Sequence, residues 1–250
     1  MSAAAQLRLV LAVSLDGRLA PPEGGAAQLG GRGDRRVLEE ALAWADATLV
    51  GAETLRRHGS QCLIRQADLL RQRHHEGRSP QPIAIVASRT AALPPHLPFF
   101  RQPLRRWWLG PAPARPADAP PVPAGFERQL PLGGWSSLRA LLPTCGIGRL
   151  AVLGGAQLAA ALLAEDGIDE LQLTLCPRLL GGSHCWVSAT AAALPAVAWD
   201  LVDQQPLGEG ELLLRYRRHR PSAEPETITA DPGEGCGGRN GGPAPSAARP

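Results

Sequence analysis

Val152 to Leu163, VLGGAQLAAALL, passes from a short apolar run through two glycines into a run of alanine and leucine. It reads as a strand, a tight turn and a helix that starts at once. Adjacent glycines let the backbone take conformations closed to other residues and approach a ligand closely. The free N–H groups at a helix start favour an anion such as a pyrophosphate. Gly154, Gly155, Ala156, Gln157 and Leu158 therefore become candidate dinucleotide contacts. The spacing is not G-x-G-x-x-G, so the same stretch also fits a turn that binds nothing.

Working outward, two more strand ends carry related signals. At Leu49 to Thr54, LVGAET, the small Gly51 and Ala52 leave room for a flat ring or ribose against the backbone, with Thr54 following. At Ile85 to Arg89, IVASR, a strand ends in Ser88 and Arg89, a hydroxyl and a guanidinium suited to the 2′-phosphate that separates NADP from NAD. Each also fits ordinary packing or a solvated strand end.

The rest of the chain alternates strands and helices. LRLVLAVS (7–14), ATLVG (47–51), PIAIVAS (82–88), RRWWLG near 105, FERQL near 126 and LAVLGG near 150 are strand candidates. Asp34 is placed to cap a helix over RRVLEEALAWA, whose Val37, Leu38, Ala41, Leu42 and Ala45 recur at helical spacing. A second helix runs from Ala156 to Glu165, ended by Gly167. Alternation at Leu171, Leu173 and Leu175, and again at Leu212, Leu214 and Tyr216, adds antiparallel closing strands. The expected class is α/β, three layers, with a central mixed, mostly parallel sheet flanked by helices. Open sheets of this kind bind ligands beyond the carboxyl ends of their strands.

The 250 residues, 44% hydrophobic, suffice for a sizeable core. All 26 basic residues are arginine, so lysine Schiff-base chemistry and a P-loop lysine are excluded. A net charge of +3 is too small for a dedicated nucleic-acid surface, and no run is long enough for a membrane span. Cys62, Cys145, Cys176, Cys185 and Cys236 form no C-x-x-C pair and read as reduced thiols of a cytoplasmic protein. His74 and His75 point about 100° apart on a helix, so no metal site is expected. Six prolines between 111 and 125 mark a surface loop inside a domain spanning 1–220. Residues 221–250, with six glycines, six prolines and no aromatic residue, read as a disordered tail.

Taken in order, Ser14-Leu15-Asp16-Gly17-Arg18-Leu19-Ala20, VGAETL, IVASR, LGGAQLAAALL, and Asp169-Glu170-Leu171 leading to Pro177-Arg178-Leu179-Leu180-Gly181-Gly182 resemble the reductase domain of bacterial riboflavin-biosynthesis proteins. The likeness covers about residues 7 to 218. It implies a dihydrofolate-reductase-like fold, NADPH as cofactor, a homodimer, and reduction of 5-amino-6-(5-phosphoribosylamino)uracil to its ribitylamino product. The zinc deaminase motifs that precede this domain in many bacteria are missing. By the same resemblance Ala12, Thr54, Ser88 and Gly155 through Ala161 face the cofactor, and Arg65 in CLIRQ faces the substrate phosphate. Asp16 is the candidate catalytic carboxylate, with turn formation as its other reading.

Several substrate-side positions depart from the family. Leu153 replaces an acidic residue before the Gly-Gly turn, an aspartate is lost within Leu55-Arg56-Arg57-His58, and Ala26 and Gln28 replace a serine and an aromatic residue. Two other readings therefore stand: a reductase of the same fold acting on another imine or a pteridine-like ring, and a dinucleotide-binding dimer without catalysis. Because the tail has no aromatic and few large aliphatic residues to dock, a chain ending at Arg220 is expected to keep its melting temperature and its cofactor affinity. A large fall on truncation, read by thermal denaturation, would assign the tail a packing role.

Overall fold

The computed structural model describes residues 4–25, 28–90, 92–113, 121–187 and 194–220. Its strands are β1 (Gln6–Ser14), β2 (Ala47–Gly51), β3 (Ile83–Ala87), β4 (Arg106–Pro111), β5 (Arg128–Leu132), β6 (Arg149–Val152), β7 (Glu170–Cys176), β8 (Trp199–Gly208) and β9 (Glu211–Arg218). They form one sheet in the order β5-β4-β3-β2-β6-β1-β7-β9-β8. Strands β1 to β7 pair in parallel, and the β8–β9 hairpin adds antiparallel at the β7 edge. Parallel neighbours need crossovers. These carry α1 (Arg32–Trp44), α2 (Ala52–His58), α3 (Ala67–His75), a 3-10 turn (Pro98–Arg101), α4 (Trp135–Thr144) and α5 (Ala156–Ala164).

Strand periodicity distributes these helices over two faces. Leu7, Leu9, Leu11 and Val13 of β1 pack with Leu138 and Leu142 of α4 and Leu158 and Leu162 of α5. On the other face Val10 meets Ala41 of α1 and Ala45 just after it. Val50, Ala84 and Val86 meet Leu55 of α2 and Phe99 of the 3-10 turn there. Burial on both faces explains why the central strands read as nearly continuous apolar runs. The expected three layers and mixed sheet are what the structure shows.

The expected cap of α1 is corrected. The helix starts at Arg32 with Gly31 as N-cap, which offers no side chain, and Asp34 lies inside the first turn. Its free N–H groups are taken instead by Glu211 of β9, whose carboxylate accepts from Gly31 and, at 3.2 Å, from Asp34. A negative charge there is also favoured by the helix dipole. At the other end the buried Arg73 guanidinium donates to the carbonyls of Ala43 (2.9 Å), Ala45 (2.7 Å) and Ser79 (2.7 Å). Arg78 adds bonds to the Ala43 and Trp44 carbonyls and to Asp46 at 2.8 Å. Burial lowers the Arg73 pKa to about 10, which leaves it charged at neutral pH.

In the middle of α1 the buried Glu39 accepts the backbone N–H groups of Arg65 (2.6 Å) and Gln66 (2.9 Å), fixing the start of α3. The expected proline-rich loop begins later than 111, since Pro111 closes β4. Residues 114–120 of that loop and the whole tail 221–250 lie outside the described residues. Cys62, Cys145, Cys176 and Cys185 are free thiols, and among the described residues no helix is long and apolar enough to cross a membrane.

Arg73→Met is expected to cost about 2–4 kcal/mol in urea denaturation, because it leaves buried carbonyls unpaired. Arg36→Met, which removes an exposed pair with Asp68, is expected to cost less than about 1 kcal/mol. Equal losses would show that α1 does not depend on its buried cation.

Candidate active site

Two cavities, of about 890 and 860 Å³, open beyond the carboxyl ends of β1, β2, β3 and β6. Thr54, Arg57, Gly155, Ala156, His184 and Cys185 line both, so the two meet along one wall. Ala12 and Gly154 line the first. Gly51, Ser88, Arg89, Gln157 and Leu158 line the second. Residues proposed from three separate segments thus converge.

The second cavity is built around the turn that opens α5. Gly154 and Gly155 adopt φ of +72° and +92°. A Cβ on Gly155 would stand 3.1 Å from Thr54 Oγ1, so glycine is required both by conformation and by the approach of α2. Helix α5 has no side-chain cap and no acidic residue in its first turn, which leaves its first N–H groups unspent beside the cavity. A side chain at Gly51 would meet nothing within 4 Å. Ser88 is held by its N–H to the Leu109 carbonyl (3.0 Å) and by Trp108 Nε1 donating to its own carbonyl (2.8 Å). Exposed Arg89 has no ion pair among the described residues. With Leu109, Leu132 and Trp135 as apolar walls, the donor set fits a dinucleotide.

The first cavity runs toward β7 and the closing hairpin. Asp34, half-buried, is the one carboxylate in its lining among the described residues. A Cβ on Gly30 would fall 1.9 Å from Asp34 Oδ2, one on Gly31 2.5 Å from Glu209 Oε2, and one on Gly33 2.3 Å from the Leu207 carbonyl oxygen. The glycines of GGRGD are what let α1 begin against the hairpin. Burial raises the Asp34 pKa, the Thr174 hydrogen bond opposes this, and neighbouring Glu211 adds to it. Local reading of the sequence missed this residue as a site residue by treating it as a cap. His58, also in the lining, has its pKa lowered by burial and then by Arg57. Cys62 has its pKa raised by burial.

Asp16 lies outside both linings. Its carboxylate accepts from Ser14 Oγ (2.5 Å) and from the N–H groups of Leu180 (3.1 Å) and Gly181 (2.8 Å). These bonds hold it well below the usual carboxylate range. Asp16, expected as the catalytic carboxylate, thus staples the turn after β1 to the loop after β7 and stands apart from the lining of both cavities. That loop returns over the cavities, where Leu19 N–H donates to the His184 carbonyl at 2.8 Å and Trp186 N–H to that of Gly17 at 3.1 Å. Asp16 is thus a positioning residue for His184 and Cys185.

Arg65 is exposed and also stands outside both linings, between Cys62 and Gln66, which line the first cavity. Arg32, Arg35 and Arg57 are the arginines in that lining. The departing positions Gln28, His58 and Leu153 line it too, and Leu153 packs against α1. Ala26 lies outside the described residues. No group of three or more metal-ligating side chains occurs among the described residues.

The profile of the RibD C-terminal domain matches residues 5–213. A 2,5-diamino-6-ribosylamino-4(3H)-pyrimidinone 5′-phosphate reductase of Archaeoglobus fulgidus is 24% identical over 179 residues, 69% of this chain and 80% of that protein. Among solved structures, a pyrimidine reductase-like protein of Corynebacterium diphtheriae superposes with a TM-score of 0.71 at 19% identity, over 86% of this chain and 92% of that one. RibD of Acinetobacter baumannii gives 0.67 at 24% identity, over 86% of this chain and 58% of that one, so this chain spans little more than half of it. Dihydrofolate reductase of Enterococcus faecalis, complexed with NADP(H), gives 0.50 at 15% identity, over 86% and 97%. At these identities the superpositions establish a shared fold.

Gly155→Ala is expected to weaken binding of a nicotinamide dinucleotide at least tenfold in a fluorescence titration, by straining the turn and pressing on Thr54. Gly133→Ala, where a Cβ meets nothing, is the control and should bind normally. Because the Asp16 pKa is depressed in the fold, its contribution to stability is full above the usual carboxyl range and fades as pH falls below it. Asp16→Asn should therefore flatten the acid limb of melting temperature against pH, and an unchanged limb would remove the staple.

Proposed function

The chain belongs to the RibD C-terminal domain family, and on that premise we propose that it is an NADPH-dependent reductase of a phosphoribosylamino-pyrimidine. The observation that carries the proposal is the shared wall at Thr54, Gly155 and Ala156, where a dinucleotide groove and a second cavity of similar size adjoin. The relative named for a ribosylamino-pyrimidinone phosphate supports the same substrate class. The expected uracil substrate and the diamino-pyrimidinone of that name differ at ring position 2, carbonyl in one and amino in the other. A homodimer in the cytoplasm, with reduced thiols, is part of the proposal.

When bound, NADPH would supply a hydride from nicotinamide C4 to C1 of the sugar in its ring-opened imine form. The protein's part is binding, orientation and exclusion of water. The first N–H groups of α5 would hold the pyrophosphate, and Ser88 and Arg89 the 2′-phosphate. Thr54, pressed against Gly155, fixes the wall where the two ligands would touch. Leu19, Leu29, Leu38 and Leu153 give the other cavity its apolar lining. Arg32, Arg35 and Arg57 in that lining would meet the substrate phosphate, Arg35 and Arg57 while also paired with Glu39 and Glu53, and the expected Arg65 would reach it only from outside the lining.

Purified protein mixed with NADPH and a phosphoribosylamino-pyrimidine is expected to oxidise the cofactor and yield a product two hydrogens heavier by mass spectrometry. Binding of NADPH without consumption on either ring would favour a module that has lost catalysis. NADPH should be preferred to NADH by roughly 1–3 kcal/mol. Arg89→Ala should remove most of that preference in a comparison of the two cofactors. An unchanged ratio would move the 2′-phosphate site elsewhere.

A further inference from the structure

The hydride acceptor of the proposed reaction is C1 of the sugar, and C1 accepts only after its bond to the ring oxygen O4′ has broken. That oxygen leaves with an electron pair and needs a proton as it goes. Because O4′ is bonded to C1, the group that protonates it must stand where the two ligands meet. The described residues that line both cavities are Thr54, Arg57, Gly155, Ala156, His184 and Cys185. Gly155 and Ala156 have no acidic side chain, the Arg57 guanidinium does not give up its proton, and a threonine hydroxyl is too weak an acid. The Cys185 sulfur is turned to the Arg18 guanidinium, which donates to it. His184 brings the imidazole, the side chain suited to exchanging a proton near neutral pH. Asp34 and His58 line the first cavity only, and burial, then Arg57, favours the neutral form of His58.

The place of His184 is built from both sides of a seam between two loops. Its carbonyl accepts the Leu19 N–H at 2.8 Å, and the next residue, Cys185, forms an antiparallel bridge with Arg18. A Cβ on Gly182 would stand 2.9 Å from Pro22 Cα, and one on Gly24 would stand 3.4 Å from His184 Nε2. These two glycines let the loop after β7 close onto the turn after β1 and set the edge of the imidazole against Gly24. Asp16 holds the same seam through Leu180 and Gly181. The ring is half-buried, and among the described residues it makes no hydrogen bond or ion pair, so its nitrogens are left to a ligand.

Resting on the function proposed above, we propose that His184 is the general acid that opens the sugar ring of the substrate. The imidazolium gives its proton to O4′ as the C1–O4′ bond breaks. The electron pair of that bond stays on O4′, which becomes a hydroxyl, and the lone pair of the attached nitrogen forms the C1=N bond of an iminium. A hydride delivered to C1 returns that pair to nitrogen and completes the ribitylamine. One proton and one hydride are consumed, and solvent reprotonates the imidazole. In the absence of hydride the step reverses: the imidazole recovers the proton and O4′ closes on either face of C1. His184 therefore interconverts the two anomers of the substrate without any cofactor.

The test follows the anomers of 5-amino-6-(5-phosphoribosylamino)uracil by NMR exchange spectroscopy, with protein and no cofactor. Wild type is expected to exchange the two H1′ signals about tenfold or more faster than buffer alone. His184→Gln, which fills much the same space without a titrating proton, should lose most of that acceleration. In turnover with NADPH deuterated at the transferred position, its kcat/KM should fall about a hundredfold. The isotope effect should move toward unity, because ring opening precedes hydride transfer and would then limit the rate. Fluorescence titration with NADPH should give the wild-type affinity, which separates loss of the acid from loss of the fold; His184→Asn, read the same way, serves where His184→Gln loses that affinity. A wild type that does not accelerate anomer exchange, a variant that exchanges as fast as wild type, or an isotope effect unchanged by the substitution overturns the proposal. Exchange that depends on His184 without oxidation of NADPH would sink the proposed reductase and leave the acid standing. Oxidation of NADPH with exchange indifferent to His184 would do the reverse.

Discussion

The first turn of α1 exposes N–H groups that its own glycine-rich sequence cannot satisfy, and the carboxylate of Glu211 takes two of them from the far end of the chain. Caps of this kind contribute on the order of 1 kcal/mol each. The opposite end depends on Arg73 and Arg78, which hold the last carbonyls, and the middle on Glu39, which holds the start of α3. One helix is thus fastened at three points by charged side chains whose partners are mainly backbone. Moving it would open one wall of the first cavity and release the segment that carries Gln66. Arginine suits the buried end because it stays charged where a more easily neutralised base would not.

The site inherits its polarity from the sheet. Parallel strands all point their carboxyl ends one way, so the helices that follow them begin there, and the starts of α2 and α5 stand side by side. At the start of α5, which has neither a side-chain cap nor an acidic first turn, the unspent N–H groups give that rim donors without any lysine. Asp16 belongs to the same rim but serves it differently. By binding Leu180 and Gly181 it sets the course of the loop that ends at His184 and Cys185, and so shapes both openings without lining either.

What could be read in the sequence follows how local the interactions are. The central strands are apolar on both faces and announce themselves, and VLGGAQLAAALL contains its own turn, glycines and helix start. The turn and helix start that line the second cavity were accordingly legible as local structure. Asp34 was misread because the cap it seemed to provide comes from a residue 177 positions away. The bonds by which Asp16 reaches the loop after β7 were equally out of local view, since Leu180 and Gly181 lie 164 and 165 positions on. Strand β8 was missed because an outer strand exposes most of its side chains, and Pro206 is tolerated only at such an edge. No window of local sequence contains these pairings.

The placement of the β8–β9 hairpin also bears on the order of events during synthesis. Chains emerge from the amino terminus, and early segments begin to fold before later ones exist. Here β1 must wait for β6 and β7, its neighbours in the sheet, and α1 must wait longer still for β9. A nascent chain that has already made the groove lined by the starts of α2 and α5 still lacks the carboxylate that fixes the entry of α1. The groove can therefore form on the ribosome before the adjoining cavity has a stable wall, and premature termination before β9 would release a protein with half a site.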